Sequence, residues 1–595
     1  MRFHQVARLA LGMLSAWACA AQSAERPNFL FIISEDMSPN LGCYGDPDAI
    51  TPNLDRFAAE SLRFTRAYSA TGVCATSRSS IITGMHPSSI GTQHMRSLIQ
   101  LPANVRPFPA LLREAGYYCI NRAKQDFNFA TPADTWDVAG GNTVDGSGRK
   151  PGQPFFAIFN FSDTHESRLW PDSQTRMVDQ TLLSDAQRHD PAKVHLPNWL
   201  PDETAVRGEW ARYQDLINLM DTQYIGPLLR QMEEDGSAED TIVFFFSDHG
   251  APFPRAKQWI TEAGTRVPLL IRFPKKWRHL APMVEGGVSD RLVSLMDLGP
   301  SVLSLAGAPI PAAMDGRAFL GPAAAPAREY MVFTRDRMDE RVDFIRAVRD
   351  ARYRYVRNFL PRVPAFPWLT YMEALESSKA FRRLQTSGHP GRFEAFLSAD
   401  KPAEELYDME ADPNEFTNLA DDPAHRKELE RMRGRLAEWM LTTRDSGFLP
   451  EQQMMDAEKE AGSIRAWCAD ESRYPLKRLV AGDLPLGDPH PVVRFHAAQR
   501  HADREQLRGR LAVEKDADVR VALAWSLGDL KTLREVLIQG PAWSRTLALN
   551  AIDTLGEVAA PLRDEIQRVA DQPETAKNRN QVWLARRVLT TLPSP

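Results

Sequence analysis

Cysteine is scarce in this chain of 595 residues: there are five, and Cys19 lies within the first 24 residues. Four remain if that segment is removed, and three if Cys74 is chemically modified. An odd, widely spaced set of thiols does not indicate a disulfide framework. The chain is also too long for a single hydrophobic core, so we expect two or more domains held by buried apolar surface.

A strong charge of one sign is also lacking, since the formal net charge is −5 with 25% charged residues. This balance gives no case for binding nucleic acid or an anionic membrane surface, so a charged substrate must be met by a local pocket. Outside residues 1–24 no apolar run is long enough to span a bilayer. Residues 1–24 combine Arg2 and Arg8 with an apolar run over 9–18 and small residues near 24. That pattern predicts a signal peptide and an exported protein, periplasmic or secreted.

Three apolar runs, residues 27–34, 154–161 and 241–247, each end in polar residues. The residues that follow these runs include acids and histidines: Glu35, Asp36, His165, Asp248 and His249. Buried parallel strands carry ligand sites at their carboxyl ends, and helical periodicity separates the runs. We therefore predict a doubly wound α/β domain over residues 25–330.

The remaining sequence changes in texture twice. Residues 331–450 alternate as antiparallel strands do and end in an amphipathic helix, which predicts a smaller α+β subdomain. Residues 451–485 are polar and mixed, as in a connector. Over 486–595, Arg494, Arg520 and Arg545 mark a period of about 25 residues within Ala- and Leu-rich helices. We predict an all-α HEAT-like array that serves for packing or for docking another protein.

Residues 73–85 read Val-Cys-Ala-Thr-Ser-Arg-Ser-Ser-Ile-Ile-Thr-Gly-Met, a turn that enters a helix at Cys74. A helix start presents free N–H groups and a positive dipole end to an anion, and Arg78 adds a fixed cationic fork. An isolated cysteine with this spacing is more often a small buried residue. Its coincidence with the strand-end acids favours a reactive group.

The other charged residues complete a candidate site. Glu35, Asp36 and Asp248 supply oxygen ligands of the kind that Ca²⁺ or Mg²⁺ prefers. Lys124 and Lys257, with Arg78, supply positive charge for an anion, and His165 is placed to contact it or to move a proton. Each of these residues alone is more often a solvated surface group.

Over residues 27–448 the chain resembles the type I sulfatases, whose motif is Cys-x-Pro/Ala/Ser-x-Arg followed by an apolar pair and Thr-Gly. The resemblance implies an alkaline-phosphatase-like fold. It also implies that the formylglycine-generating enzyme oxidises Cys74 to formylglycine, whose hydrate attacks sulfur. Metal-ligand positions fall on Glu35, Asp36, Cys74, Asp248 and His249; catalytic positions fall on Cys74, Arg78, Lys124, His165 and Lys257.

Four residues depart from the family pattern. Glu35 stands where the family most often has Asp, and His249 replaces the commoner Asn. Thr76 replaces Pro, Ala or Ser inside the cysteine motif. Asp126 occupies the place of a histidine, so we expect it to contact an amine or a hydroxyl of the substrate rather than the sulfate.

Residues 247–254, 349–364 and 436–445 resemble most the heparan N-sulfatase (N-sulfoglucosamine sulfohydrolase) branch. This predicts N-sulfoglucosamine of heparin-type glycans as the substrate, with Asp126, Arg337 and Asp339 contacting the sugar. His165 would donate the proton to the leaving amine, with neighbouring anions raising its pKa above the usual 6.5. Three alternatives stay open: an O-sulfatase on another polysaccharide, a phosphate-ester hydrolase of the same superfamily, and an inactive sulfated-glycan-binding protein.

Overall fold

The structure, a computed structural model, describes residues 26–141, 147–171 and 182–593. The predicted signal peptide, residues 1–24, lies outside the described residues. Within the described ranges no helix is both long and apolar enough to cross a membrane. Cys43, Cys74, Cys119 and Cys468 are free thiols.

Two sheets organise the chain before residue 330. Their strands are β1 (Asn28–Ser34), β2 (Leu62–Phe64), β3 (Ala67–Tyr68), β4 (Tyr118–Arg122), β5 (Val138–Ala139), β6 (Phe155–Phe161), β7 (Thr241–Ser247), β8 (Arg266–Val267), β9 (Leu269–Arg272), β10 (Val288–Ser289) and β11 (Val293–Ser294). The large sheet has the order β10-β2-β9-β7-β1-β6-β4-β5, and the small one has the order β11-β3-β8. Strands β7, β1, β6 and β4 are adjacent and parallel, so their carboxyl ends lie at one edge. We call this the carboxyl edge.

Strand β1 is buried on both faces because its side chains are apolar throughout. Phe29, Phe31 and Ile33 belong to one hydrophobic core, and Leu30 and Ile32 belong to the other. Successive side chains of a strand point to opposite faces, so one apolar run supplies both cores. The predicted strands over 27–34, 154–161 and 241–247 are therefore confirmed.

Helices cover both faces of the large sheet. Before residue 330 they are Pro52–Ala59, Cys74–Thr83, Pro87–Ile90, Phe108–Glu114, Thr204–Met220, Gly226–Glu234, Glu262–Thr265 and Leu298–Leu305. Ile81 and Val302 pack on the face of Phe31, whereas Leu54 and Ile217 pack on the opposite face. This layering is the α/β arrangement that the alternation of strands and helices predicted.

A third, antiparallel sheet follows, made of β12 (Met331–Arg335), β13 (Ile345–Arg349), β14 (Tyr353–Asn358) and β15 (Glu404–Asp408) in sequence order. Helices Glu376–Ser387 and Glu394–Leu397 lie between β14 and β15 in the chain, and helix Arg426–Thr443 packs on β13 and β14. The α+β texture inferred for this region is thus present. The boundaries proposed at 330 and 450 stay predictions.

The rest of the described chain is helical. Its helices are Glu451–Ala461, Ile464–Cys468, Leu476–Ala481, Pro491–Arg500, Arg504–Leu511, Ala517–Leu527, Leu530–Gln539, Ala542–Leu555, Arg563–Ala570 and Arg579–Thr591. The segment expected to be a connector packs closely, with Met454, Leu476 and Leu479 buried. We call the described residues after 485, 486–593, the helical tail. In it, helix Ala517–Leu527 contacts both Pro491–Arg500 and Ala542–Leu555. The HEAT-like repeat assignment stays a prediction.

Candidate active site

The carboxyl edge brings together acids that are more than 200 residues apart in the chain. Ser34 of β1 lies in register with Ser247 of β7, so the residues that follow them are neighbours. Asp36 adopts a positive φ of 50°, and its N–H donates to Asp248 Oδ1 at 3.1 Å. A left-handed backbone is costly for a non-glycine residue. This conformation directs the Asp36 carboxylate into the site.

Cys74 is the first residue of helix Cys74–Thr83, as the motif predicted. Its Sγ lies 3.2 Å from His249 Nε2 and 3.8 Å from Asp36 Oδ1, and the side chain is buried. The Asp36 Oδ1 atom itself lies 3.0 Å from His249 Nε2. The cysteine therefore meets ligand atoms from β1 and β7 at a helix N-terminus, where an anion is favoured.

Each predicted cation contacts one of the acids. Arg78 Nε donates to Asp248 Oδ2 at 3.0 Å, and Lys257 Nζ donates to Asp36 Oδ2 at 2.5 Å. Lys124 Nζ lies 3.0 Å from one oxygen of the Glu35 carboxylate, and a guanidinium nitrogen of Arg78 lies 3.6 Å from the other. Formally, these three carboxylates oppose three cations, and Glu166 and Asp126 add two more carboxylates beside Lys257 and Lys124. Such a site has little net attraction for an anionic ester until a cation is added.

A divalent metal ion fits this donor set. The ligand atoms of Asp36, Cys74 and His249 all lie within 4.8 Å of one another, and Asp248 Oδ1 is 3.8 Å from His249 Nε2. Carboxylate oxygens suit Ca²⁺ and Mg²⁺, whereas a thiolate suits softer metals. Formylglycine carries oxygen in place of the Cys74 sulfur. Its formation would therefore give a set of ligands better suited to Ca²⁺ or Mg²⁺.

Buried charges shift the pKa values in this cluster. Burial opposes ionisation of Asp36, yet Lys257 and the neighbouring histidines hold its pKa well below the usual range. Burial alone would raise the pKa of the Cys74 thiol, but Lys124 and Lys257 outweigh it and the pKa is lowered. His249 is also buried, but Asp248 and Cys74 raise its pKa well above 6.5. A protonated Nε2 cannot coordinate a metal, so metal binding there must release this proton.

His165 lies at the site, but its pKa moves in the direction opposite to our expectation. Burial, reinforced by the charge of Lys257, lowers the pKa of His165 to about 4 despite the nearby acids. Its Nδ1 accepts from the Ser167 N–H at 3.3 Å, which leaves the ring proton on Nε2, 3.9 Å from Glu35. At neutral pH the ring is therefore an uncharged N–H donor.

The three residues predicted to contact the sugar are placed differently. Asp126 Oδ2 lies 3.6 Å from Lys124 Nζ, and Asp339 lies near Asp126 because both carboxylates approach one guanidinium group, that of Arg96. Arg337 does not: its guanidinium is buried and donates to both oxygens of Glu451 at 2.5 and 2.9 Å. We correct its assignment from a substrate contact to a structural ion pair.

Two residues that sequence reasoning missed lie beside these acids. Arg96 Nε is 3.6 Å from Asp126 Oδ1, and Arg96 NH1 is 4.0 Å from Asp339 Oδ1. Gln258 Nε2 donates to Asp339 Oδ2 at 2.9 Å. We call Arg96, Asp126, Gln258 and Asp339 the rim. The position of Gln258 next to Lys257 was the only sequence signal; Arg96 had none.

The fold and this arrangement of acids, bases and cysteine define a hydrolase of the alkaline-phosphatase-like class, and the comparisons specify it further. The sulfatase family model matches residues 27–138 and 142–308. An ulvan-active sulfatase of Formosa agariphila (strain DSM 15362) is 36% identical over 471 residues, covering 73% of this chain and 78% of the relative. The chain therefore belongs to the sulfatase family and is a sulfatase by descent.

Other relatives agree with this assignment. Human N-sulphoglucosamine sulphohydrolase is 28% identical over 474 residues, covering 70% of this chain and 90% of that protein. Among solved structures, a 2-O GAG sulfatase has a TM-score of 0.51 at 20% identity, covering 71% of this chain and 93% of its own. A protein in complex with its substrate D-glucosamine-2-N,6-O-disulfate has a TM-score of 0.50 at 17% identity, covering 71% and 99%. These two structures support the fold. Members of this family generally use a metal ion and formylglycine.

Proposed function

We propose that this chain removes sulfate from a sulfated saccharide, using Cys74 as formylglycine and Ca²⁺ or Mg²⁺ held by Glu35, Asp36, Asp248 and His249. The observation that carries the proposal is the position of Cys74. It lies at a helix N-terminus, within 4 Å of both Asp36 and His249. The metal would polarise the sulfate oxygens, and formylglycine would supply the attacking hydroxyl.

The cations of the site bind and orient the anionic group. Lys124 is the most open of the three, with 22% of its side chain exposed, so it faces an entering substrate. Lys257 and Arg78 are buried and hold Asp36 and Asp248 in place. Fixed charges in a site with little water stabilise developing negative charge without reorganising.

His165 presents its Nε2–H to the site as a neutral donor. With a pKa of about 4 it is uncharged near pH 7, so it supports the leaving oxygen or nitrogen by a hydrogen bond. Asp126, with Asp339, would contact hydroxyl or amine groups of the sugar. Both are carboxylates whose free oxygens accept hydrogen bonds.

Two substrates compete. N-sulfoglucosamine at the non-reducing end of heparin-type oligosaccharides is supported by the similarity to the human N-sulphoglucosamine sulphohydrolase, which spans 90% of that protein. Ulvan is favoured by the higher identity, 36%, to the ulvan-active sulfatase. N-sulfoglucosamine is a sulfamate, with sulfur bound to nitrogen. Ulvan represents the alternative of an O-sulfatase that acts on another polysaccharide.

Three further parts of the proposal concern the modification of Cys74, the export of the protein and its partners. Thr76 must be accepted by the formylglycine-generating enzyme within the Cys74 motif. Residues 1–24 would direct export to the periplasm or the medium, where a polysaccharide is accessible. Docking of another protein on the helical tail stays a prediction.

The test is a side-by-side measurement of sulfate release from N-sulfoglucosamine oligosaccharides, 6-O-sulfated N-acetylglucosamine, ulvan and a small aryl sulfate, with phosphate esters as the control. Peptide mass spectrometry around Cys74 accompanies it. Sulfate release together with an aldehyde at Cys74 supports the proposal. Binding without turnover and an intact thiol in protein from the native host would favour the glycan-binding alternative, and phosphate release would favour the phosphatase.

A further inference from the structure

The hairpin between β12 and β13, residues 336–344, reaches the site from the third sheet. Met338 at its tip packs against Val73 and Met95, the residues that directly precede Cys74 and Arg96. Met338 and Arg341 exchange two backbone hydrogen bonds of 3.0 and 2.9 Å, which close the tip. The hairpin therefore connects the nucleophile helix to the rim.

The rim has unused hydrogen-bonding capacity. In the part of the chain that the structure describes, Gln258 Oε1 has no hydrogen-bond partner, and the Gln258 side chain is 1% exposed. Asp126 Oδ2 also accepts no hydrogen bond there, and its contact with Lys124 Nζ is an ion pair of 3.6 Å. Arg96, by contrast, has 43% of its side chain exposed. Buried polar atoms without partners are costly in a native fold and point to a ligand that satisfies them.

The backbone of the rim is also strained. Arg96, Asp126, Gln258 and Asp339 have φ values of 58°, 49°, 71° and 43°. A left-handed non-glycine residue persists only where its surroundings enforce it. Asp339 is the member of the rim that lies in the hairpin, so other contacts must hold the hairpin in this shape.

The helical tail supplies this support from the other side of the hairpin. Asn550 Nδ2 donates to the Glu340 carbonyl at 3.0 Å, and its Oδ1 accepts from the Val342 N–H at 3.3 Å. Asp553 pairs with Arg341 at 2.7 Å. One helix, Ala542–Leu555, thus binds three consecutive residues of the hairpin, 340–342.

The same helix also contacts Arg337, which directly precedes Met338 in the hairpin. The Trp543 ring lies 4.5 Å from the Arg337 guanidinium carbon, and Arg337 also donates to the Met95 carbonyl at 2.8 Å. Met95 directly precedes Arg96, so this hydrogen bond links Arg337 to the segment that carries Arg96. The tail, the hairpin and the Arg96 loop therefore form one connected unit.

We propose that Asn550 and Asp553 are positioning residues that hold the hairpin so that Asp339, with Arg96, forms a subsite for the hydroxyl and anionic groups of the sugar that carries the sulfate. This inference rests on the proposed sulfatase function. It gives the helical tail a role in substrate binding within its own chain. Over the described ranges, no hydrogen bond or ion pair joins Asn550 or Asp553 to the charged residues around Cys74.

The test compares full-length variants in the kinetics of the saccharide that the wild type hydrolyses best. Asp553→Asn removes the charge that pairs with Arg341, and Asn550→Asp keeps the acceptor for Val342 but loses the donor. We expect KM to rise by about fivefold or more in each variant, with kcat within about twofold, because one positioning contact is lost. Hydrogen exchange of residues 336–344 should become faster.

The matched control is Glu535→Gln, another carboxylate-to-amide change in the tail. Glu535 pairs with Arg520 at 2.6 Å and does not contact the hairpin, so its KM and exchange should match the wild type. An unchanged KM in both test variants, or an equal rise in the control, would overturn the inference. If the wild type releases sulfate from no substrate, the proposed function fails instead. The exchange measurement then decides alone whether the tail holds the hairpin.

Discussion

The carboxyl edge and the helical tail both bury charged residues, but they satisfy them differently. In the tail, Arg494 donates to both oxygens of Glu514 at 2.7 and 2.9 Å, and Arg510 donates to one of them at 2.9 Å, so structural partners fill this carboxylate and close the pair. At the carboxyl edge, the Asp36 carboxylate is shared among Lys257, His249 and Cys74. A closed pair leaves nothing for a ligand, whereas a shared cluster can exchange one partner for another.

This difference separates structural charge from functional charge more reliably than burial does. Arg337 is as deeply buried as Lys257, yet its only acidic partner is Glu451 within the described residues, and its remaining donors go to backbone carbonyls of Met95 and Asp339. Lys257 instead lies between two acids, Asp36 at 2.5 Å and Glu166 at 3.2 Å. Burial raises the pKa of Glu166 to about 8, which shows how incompletely Lys257 compensates it. Incomplete compensation is characteristic of a site that a ligand completes.

The largest effect is expected from Cys74→Ala at the centre of the shared cluster. The nucleophile is lost while little volume changes, so turnover of every sulfated substrate should fall by about 10⁴-fold or more. The measurement is sulfate release, with thermal unfolding as the control for the fold. Near-normal activity in this variant would remove the formylglycine assignment.

Next is Asp248→Asn, which weakens the metal site and leaves Arg78 without its charge partner. We expect a loss of about 10³-fold in kcat/KM together with reduced metal content, and chelation of the wild type should reproduce the loss. Metal analysis and kinetics are measured on the same preparation. If metal content and kcat/KM are both unchanged by the substitution, the strand-end acids are structural. The contrast between shared charges at the carboxyl edge and closed pairs in the tail would then be wrong.

A smaller effect is expected when a closed pair is broken. Glu451→Gln leaves the Arg337 guanidinium buried without a counter-charge, which should cost about 3 kcal/mol of the free energy of unfolding. Denaturant unfolding measures it. Replacing the exposed Glu438 by Gln is the control, because surface pairs contribute about 0–1 kcal/mol. Equal losses in the two variants would show that the buried pair of Arg337 and Glu451 contributes no more to the free energy of unfolding than a surface pair does.

The smallest effect concerns the contact of the tail with the turn Ser446–Phe448 through His496. Burial lowers the pKa of His496 to about 4, and its Nε2 donates to the Phe448 carbonyl at 2.8 Å. The folded pKa is below the unfolded value of about 6.5, so the stabilisation is present above pH 6.5 and is lost as pH falls towards 4. Between pH 7.5 and 5 this amounts to about 2 kcal/mol.

His496→Gln tests this prediction. The variant should be less stable than the wild type at pH 7.5 but should lose less stability on acidification, as measured by denaturant unfolding at both pH values. Parallel pH curves for the two proteins would assign the acid sensitivity to other groups.

Much of the fold could be predicted because it depends on local patterns. The apolar run over 27–34 became β1, and the Cys74 motif became a helix that begins at Cys74. The acids after β1 and β7 meet because parallel neighbours end at one edge. For the same reason Glu35, Asp36, Asp248 and His249 were found from the sequence alone.

The sequence by itself therefore determined the family, the strands of the large sheet and the charged residues at the carboxyl edge, since these follow from periodicity and from a contiguous motif. Only the tertiary structure decided that Arg337 is paired with Glu451, that burial and Lys257 lower the pKa of His165, and that Arg96 joins the rim. The helix Ala542–Leu555 grips a hairpin about 200 residues away in sequence. Such contacts depend on which surfaces pack together and on how much water they exclude, and neither quantity is written in a local pattern.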